Sequence, residues 1–562
     1  MAARITEEGK VVDKIMKKSG EDRTIRQILG KCLPYILFLI AMCAVLSLKI
    51  NLHVDEVYTY GLSNHMGGVQ AVIEDGISYE PEDNPIHNYV TTHIGQRLEF
   101  GNVWQNQKND VHPPLYYDMV HLICSFFPNT FSMWFAGLVN IVFALCSLFV
   151  FRKLCTQMGA EGVLKAVLTG MFIFSAGILM NVSYFRMYVM AMFWLLAQTS
   201  LVLSLMQERK EYWKYPLLIG CAAAGVLTHY YCSIYTIALS AGYGVYTLVR
   251  KKWKDFGLYS ASMIAAAGTA LAAFPPMIDH VFRGYRGKEA LNNAVSLGGY
   301  RTHILEFLKL INAEIFGGLL WVLLLALVVL LVWKRHSVQT IFRTQNAERS
   351  ASNASQEAQG SSLLVQWLVL AFASGVYFAL VTKVAPYQTD RYIFPIYPFI
   401  MLLLFIPLFE ILVNAWRQKG LAAAAVLAVV ITVSSIAQSD WTYLYRSTEP
   451  ILNTAKENAE LDAIYIYEEP WQVASEYMEM MNFRTVTFVQ AQNLDLLREL
   501  PVSKNSKIFI NVPLLMKPDT FIQEITDRYD LGEQIEKVGR HEYGVSFLVS
   551  KKSILITYSA FE

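Results

Sequence analysis

Charged residues are scarce. Only 17% of the 562 side chains are Asp, Glu, Lys or Arg, where soluble domains carry about a quarter, so water is not the solvent for most of this surface. Net charge is +1, and no basic face argues for nucleic acid as a partner. Cysteine is sparse and unpatterned: Cys32, Cys43, Cys124, Cys146, Cys155, Cys221 and Cys232 show neither metal-ligand spacing nor a paired framework, and read as small apolar filler. A signal-peptide pattern is missing too, because some thirty mixed, charged residues precede the first apolar run. What is abundant is hydrophobic, 54% of the chain. Apolar runs of about 20 residues recur along the first 440 positions, the length a helix needs to cross roughly 30 Å of hydrocarbon.

Hydropathy places spans near 32–50, 131–151, 163–181, 187–206, 215–230, 232–249, 257–278, 315–333, 363–382, 392–413 and 420–437, eleven in all. Cytoplasmic loops collect Lys and Arg. Basic clusters at Arg152-Lys153, Arg209-Lys210, Arg250-Lys251-Lys252, Lys334-Arg335 and Arg417 with Lys419 each lie two spans after the last, on the side of a tail with eight Lys or Arg before position 32. By contrast Asn51 to Val111 holds nine Asp or Glu against Arg97 and Lys108. These patterns predict a cytoplasmic tail (1–31), a transmembrane domain (32–437) with an external loop (51–130) and a cytoplasmic linker (334–362), and a C-terminal domain outside. His112 to Phe127, opened by Pro113-Pro114 and carrying Asp118 and His121, is too short and polar for a crossing and reads as an external helix along the interface. From 438 to 562 short β-rich runs (463–467, 485–489, 507–511, 545–549) alternate with helix-like stretches, Trp471 to Met481 and Asp519 to Tyr529, so the fold class is a polytopic helical membrane protein with a small extracytoplasmic α/β domain.

Ionisable groups near the ends of spans gather on the outer face, where they are costly and by default functional candidates. His53-Val54-Asp55-Glu56 leaves the first span, and two adjacent carboxylates suit either a general base or a divalent cation, although an acidic helix start is the plain alternative. Asp110-Val111-His112-Pro113-Pro114 holds an acid and a histidine at the boundary through two rigid prolines. Arg186, flanked by Tyr184 and Tyr188, either binds phosphate or snorkels from a helix end. His229-Tyr230-Tyr231 interrupts two spans on the same face, and Tyr387-Gln388-Thr389-Asp390-Arg391-Tyr392 opens another. Arg283, Arg286, Lys288 and Arg301 add positive charge outside, against the usual bias, and ask for an anionic partner such as phosphate.

In this order, the acidic pair, HPPLYY at 112–117, Arg186-x-Tyr188, His229-Tyr230-Tyr231 and Asp390-Arg391-Tyr392 resemble the GT-C superfamily of polytopic glycosyltransferases, over roughly positions 30 to 415. The likeness is to the branch of protein O-mannosyltransferases, the lipid A aminoarabinose transferase and the RgtA/B/C/D-like enzymes. His112 stands where the aminoarabinose transferase pattern has a lysine, and no acid follows Arg186 in the next span. The resemblance implies an inverting transfer from a polyprenyl-phosphate sugar to a hydroxyl or amine of an extracytoplasmic glycan, lipid or protein. It makes Asp55 the base, with Glu56, Asp110 and His112 beside it. Arg186, Arg391, Arg283 and Arg286 are then the candidates for the donor phosphate, and Tyr188, His229, Tyr230, Tyr387, Asp390 and Tyr392 for substrate contacts. No cofactor is assigned, except a divalent cation if Asp55 and Glu56 hold one. An external active face without paired cysteines suits a bacterial plasma membrane. The rival readings are a lipid or sugar transporter, for which mid-membrane polar groups and repeats are expected and not found, and a non-catalytic sugar-binding membrane protein.

Overall fold

The structure, a computed structural model, describes residues 30–207, 211–296, 298–333, 357–500 and 507–551. The expected tail at 1–31 falls outside these residues except for 30–31, and the expected linker at 334–362 except for 357–362, which are helical and not a linker. After α1 (Gly30–Ser47), the long loop folds into α2 (Val54–Asn64), β1 (Ser78–Tyr79), α3 (Pro85–Val90), α4 (Phe100–Asn109) and α5 (Leu115–Cys124). The bundle continues through α6 (Met133–Gln157), α7 (Gly162–Phe174), α8 (Ala176–Ser183), α9 (Tyr188–Met206), α10 (Lys214–Thr228), α11 (Tyr231–Val249) and α12 (Trp253–Ala273). Two short helices, α13 (Met277–Phe282) and α14 (Tyr285–Val295), precede α15 (Tyr300–Phe316), α16 (Leu320–Trp333), α17 (Glu357–Val384), α18 (Tyr397–Trp416) and α19 (Gln418–Gln438).

Every expected span has a helix at its place, but they are not eleven equal crossings. Eight described helices are long and apolar enough, or ten if each of two bent pairs is one span. The expected span at 215–230 is α10, whose 15 residues reach only about 22 Å at 1.5 Å per residue. The expected span at 163–181 is α7 and α8, bent by 43° at Ser175. That at 315–333 starts instead at Tyr300 and turns by 79° at Gly317 and Gly318, both at positive φ, where a Cβ on Gly317 would meet the Ile431 carbonyl oxygen at 2.7 Å. A backbone that left-handed and that crowded admits only glycine, so the kink is written locally. Helix α9 is the most enclosed of the eight, with α18 and α6 next, whereas α1, α12 and α19 turn most of their surface outward to lipid. The expected interfacial helix is α5, ten residues long and about 15 Å by the same rise.

The C-terminal region adds α20 (Glu449–Glu457), β2 (Asp462–Tyr467), α21 (Tyr477–Met480), β3 (Thr485–Gln490), β4 (Lys507–Pro513), α22 (Pro518–Tyr529), β5 (Gln534–Arg540) and β6 (Gly544–Ser550). The sheet runs β1-β3-β2-β4-β6-β5, parallel between β2 and its neighbours and antiparallel elsewhere. Period two sorts its faces. Ile464, Ile466, Ile508 and Ile510 pack on Ile522 and Ile525 of α22, while Tyr465, Phe488 and Phe509 belong to the core shared with the transmembrane bundle. Its edge strand comes from the first loop: Ser78 pairs with Thr487 and Tyr79 with Val486, and Asp75 accepts the Gln490 N–H at 2.7 Å. The stretch from Trp471 to Met481, expected as one helix, is a 3₁₀ turn over Pro470–Glu476 followed by the single turn of α21.

Under this sheet Glu476, Glu479 and His541 are buried together, with His541 Nε2 at 2.7 Å from Glu479 Oε1. Burial raises the Glu476 pKa to about 8, against the pull of His541, and raises Glu479 as well. His541 is also raised, because Glu479 and Glu476 outweigh its burial. All three shifts have one sign: the folded domain holds protons that the unfolded chain has released, so its stability falls as pH rises. Hydrogen exchange in β2 and β4, corrected for intrinsic rate, should show protection lost progressively from about pH 5 to about pH 9. Glu476→Gln should flatten that slope; an unchanged slope in the variant would locate the titration elsewhere.

Candidate active site

The turn from α1 into α2 is built by its own sequence. His53 is the N-cap of α2: its Nδ1 accepts the Asp55 N–H at 3.0 Å, and Glu56, three residues on, accepts the His53 N–H at 2.7 Å, a reciprocal capping box. This fixes opposite fates for the paired acids. Glu56 is fully buried, 3.0 Å from the Lys49 ammonium, and also accepts the Phe185 N–H at 2.7 Å. Lys49 in turn donates to the Tyr443 carbonyl at 2.5 Å. Asp55, one position earlier, has 35% of its side chain exposed and faces a cavity of about 1780 Å³ between the bundle and the α/β domain.

Cations and hydroxyls converge on Asp55. Arg391, in the 3₁₀ turn Asp390–Tyr392 ahead of α18, donates from Nη1 to Asp55 Oδ2 at 2.5 Å and to the Tyr184 hydroxyl at 2.7 Å. Tyr184 in turn donates to Oδ2 at 3.1 Å. Arg186 donates to the Asp55 carbonyl at 3.0 Å and to Thr59 Oγ1 at 3.1 Å, and its Nη2 lies 3.3 Å from His112 Nε2. Because His112 Nδ1 is 2.9 Å from Asp110 Oδ2, the two partners assign the Nδ1–H tautomer, with Nε2 accepting from Arg186. Burial by itself would raise the Asp55 pKa, but Arg186, a protonated His53, Arg391 and a protonated His112 together hold the carboxyl well below its usual range. Burial and Arg186 push His112 down, against Asp110. His229 is pushed down to about 3 by burial, then His112, Arg186 and Arg391, which keeps that imidazole neutral.

No family model and no curated protein matches the chain. Among solved structures, ArnT from Cupriavidus metallidurans, bound to undecaprenyl phosphate, matches at 11% identity with a TM-score of 0.50, over 92% of this chain and 98% of that one. The chain has the GT-C fold. Two oligosaccharyltransferase structures from Archaeoglobus fulgidus match less well. AglB in complex with an inhibitory peptide and a dolichol-phosphate gives a TM-score of 0.43 at 10% identity, over 88% of this chain and 71% of that one. A complex with zinc and sulfate gives 0.44 at 10% identity, over 90% and 72%.

Within this GT-C fold the expected site residues divide. Asp55, Asp110, His112, Arg186, Tyr188, His229 and Tyr230 line the cavity, as do Arg286, Tyr387, Asp390, Arg391 and Tyr392. Glu56 and Arg283 do not. Glu56 spends its oxygens on Lys49 and two backbone donors, so the acidic pair does not present two carboxylates to one ion, and no group of three or more metal-type side chains occurs among the described residues. Arg283 is 79% exposed and paired with Asp279 one helical turn back, at 2.8 Å. Arg286 is shared between Glu289 at 2.7 Å and the Tyr387 hydroxyl at 3.5 Å.

Other lining residues carry little sequence signal. Glu314, on α15, accepts from the Tyr397 hydroxyl at 2.7 Å. Placing the span to begin at 315 leaves this buried acid outside it, and a span begun at 300 would have flagged it. Tyr443, hydrogen-bonded to Asp390, and Trp471, Glu542 and Tyr543 of the α/β domain reach the site through tertiary structure alone.

Proposed function

We propose that this chain is a membrane glycosyltransferase that moves a sugar from a polyprenyl-phosphate carrier to an extracytoplasmic acceptor, with inversion, and with Asp55 as general base. One observation carries the reading: a partly exposed carboxylate held at 2.5 Å by an arginine, in a large cavity at the end of a membrane bundle. The ligand bound to ArnT, undecaprenyl phosphate, is the carrier type this assigns to the donor. Asp55 takes the acceptor proton as the acceptor oxygen forms its bond to the anomeric carbon. The carbon–oxygen bond to phosphate breaks with its electron pair going to the phosphate, and Arg391, with Arg286 further along the wall, neutralises that charge.

Arg391 then serves two anions in turn. Without donor it pairs with Asp55 and keeps the acid a weak base. A phosphate that draws it away raises the Asp55 pKa when a base is needed. Purified protein given undecaprenyl-phosphate-linked hexoses or pentoses, with heat-treated cell-envelope extract as acceptor, should release undecaprenyl phosphate. No release from any donor would sink the reading. Arg391→Ala should weaken undecaprenyl phosphate binding about tenfold or more, the worth of a hydrogen bond to a charged group, and Arg391→Lys should recover part, having the charge without the planar fork. Unchanged affinity in the Ala variant would remove Arg391 from the donor site. Chelation followed by re-addition of Mg²⁺ in the same assay tests whether a cation assists Asp55.

The orientation has its own test. In a cysteine-free background, a cysteine replacing the exposed Gln492 of the α/β domain should react with an impermeant thiol reagent in intact cells. One replacing Lys419, exposed in the first turn of α19, should not. The reverse pattern would put the site on the cytoplasmic face.

A further inference from the structure

The α/β domain reaches the acid itself. The turn between β5 and β6 carries His541-Glu542-Tyr543, and Glu542 Oε2 lies 3.0 Å from Nε2 of His53. Across the ring, Nδ1 accepts the Asp55 N–H at 3.0 Å and stands 3.5 Å from Asp55 Oδ2. A neutral imidazole has one ring proton, and the bond made at one nitrogen decides the state of the other. An ionised carboxylate only accepts, so Glu542 draws the proton to Nε2 and leaves the Nδ1 lone pair for the helix-capping bond. The opposite tautomer would lose the cap and aim an N–H at the Asp55 carboxylate. Such a bond stabilises the ionised acid and makes it a poorer base.

The other groups facing His53 do not compete for the ring proton. Tyr445 stacks on the ring at 6.2 Å and Tyr184 meets it edge-on at 6.1 Å, while Glu56 takes only the backbone N–H. The turn is anchored on both sides of Glu542. The Tyr543 hydroxyl donates to Glu542 Oε1 at 2.9 Å, and His541 is buried against Glu479.

We propose that Glu542 is a positioning residue of the transfer reaction, which holds His53 in its Nε2–H tautomer and so leaves the Asp55 carboxylate free to take the acceptor proton. This rests on the reading of Asp55 as base. It makes the α/β domain part of the catalytic unit, beyond any part it has in binding acceptor.

A double-mutant cycle in the release assay with undecaprenyl-phosphate-linked sugar tests it. Glu542→Ala should lower kcat about tenfold or more, the range for losing a hydrogen bond to a charged group, with KM for the donor unchanged. Glu542→Gln should recover most of the loss, because its amide oxygen still accepts from Nε2–H. In a His53→Asn background, where an amide caps α2 with no tautomer to choose, Glu542→Ala should add nothing. A loss that persists in that background, or equal losses in the Ala and Gln variants, would overturn the role. Asp55→Asn run alongside separates the failures: if it is inactive, an overturned cycle removes Glu542 alone, and if it is active, the base assignment falls and this role with it.

Discussion

Asp55→Asn is expected to lower turnover at least about 10²-fold while folding and donor binding are retained, the range for loss of a general base. The substitution keeps the shape and the helix start, since the cap on the Asp55 N–H comes from His53 and not from the carboxylate. It removes the one acid in this turn that opens to the cavity. The Arg391 guanidinium, released from its 2.5 Å partner, becomes more available to phosphate, so donor affinity should hold or rise while kcat falls. That divergence is the signature to measure, by undecaprenyl phosphate binding and by single-turnover release. Near wild-type turnover would pass the role to Asp110, the cavity-lining acid held by His112.

The second large effect is on stability, and it separates the two members of the acidic pair. Lys49→Met leaves Glu56 buried and charged, with only the backbone donors of His53 and Phe185. Removing one partner of a buried ion pair costs about 3–5 kcal/mol, and here it strikes the joint where α1, α2 and the α8–α9 turn meet. Thermal unfolding in detergent should shift down markedly, and the double variant Lys49→Met with Glu56→Gln should recover much of the loss. An unshifted Lys49→Met midpoint would mean that the pair contributes nothing to the fold. Glu56→Gln is therefore expected to act on stability and not on the transfer step.

The membrane plan was legible because lipid imposes long apolar runs, and the α/β domain because its central strands are apolar. Strand β5 carries Glu536 and Lys537 and is exposed over much of its length, as an edge that must not pair with another chain tends to be, so no β-rich run announces it. Strand β1 is two residues long and exists only because β3 is there to receive it. In the site, the lining residues contributed by the bundle, Asp55, His112, Arg186 and Arg391 among them, were visible as polar groups interrupting apolar sequence. The sign of each role was not. Asp55 and Glu56 are adjacent and chemically alike, and only the capping box, which turns one inward to Lys49 and the other outward to Arg391, tells them apart. Glu542 lies 489 residues from its partner His53, and nothing in the intervening chain marks the contact.

That distance also sets a timetable. The loop carrying Asp55 is completed by a sheet edge at Thr487 and Val486 and by the turn at Glu542, so it cannot reach its final form before those strands have been made. Until strands β3 to β6 have been made, that loop lacks both its sheet partner and the carboxylate that faces His53. Pairings of such long sequence separation form late, because loop closure must be met before they contribute. The loop that carries Asp55 is thus completed only after the bundle has been synthesised, and a chain cut short before the α/β domain would carry every bundle helix and still lack these contacts.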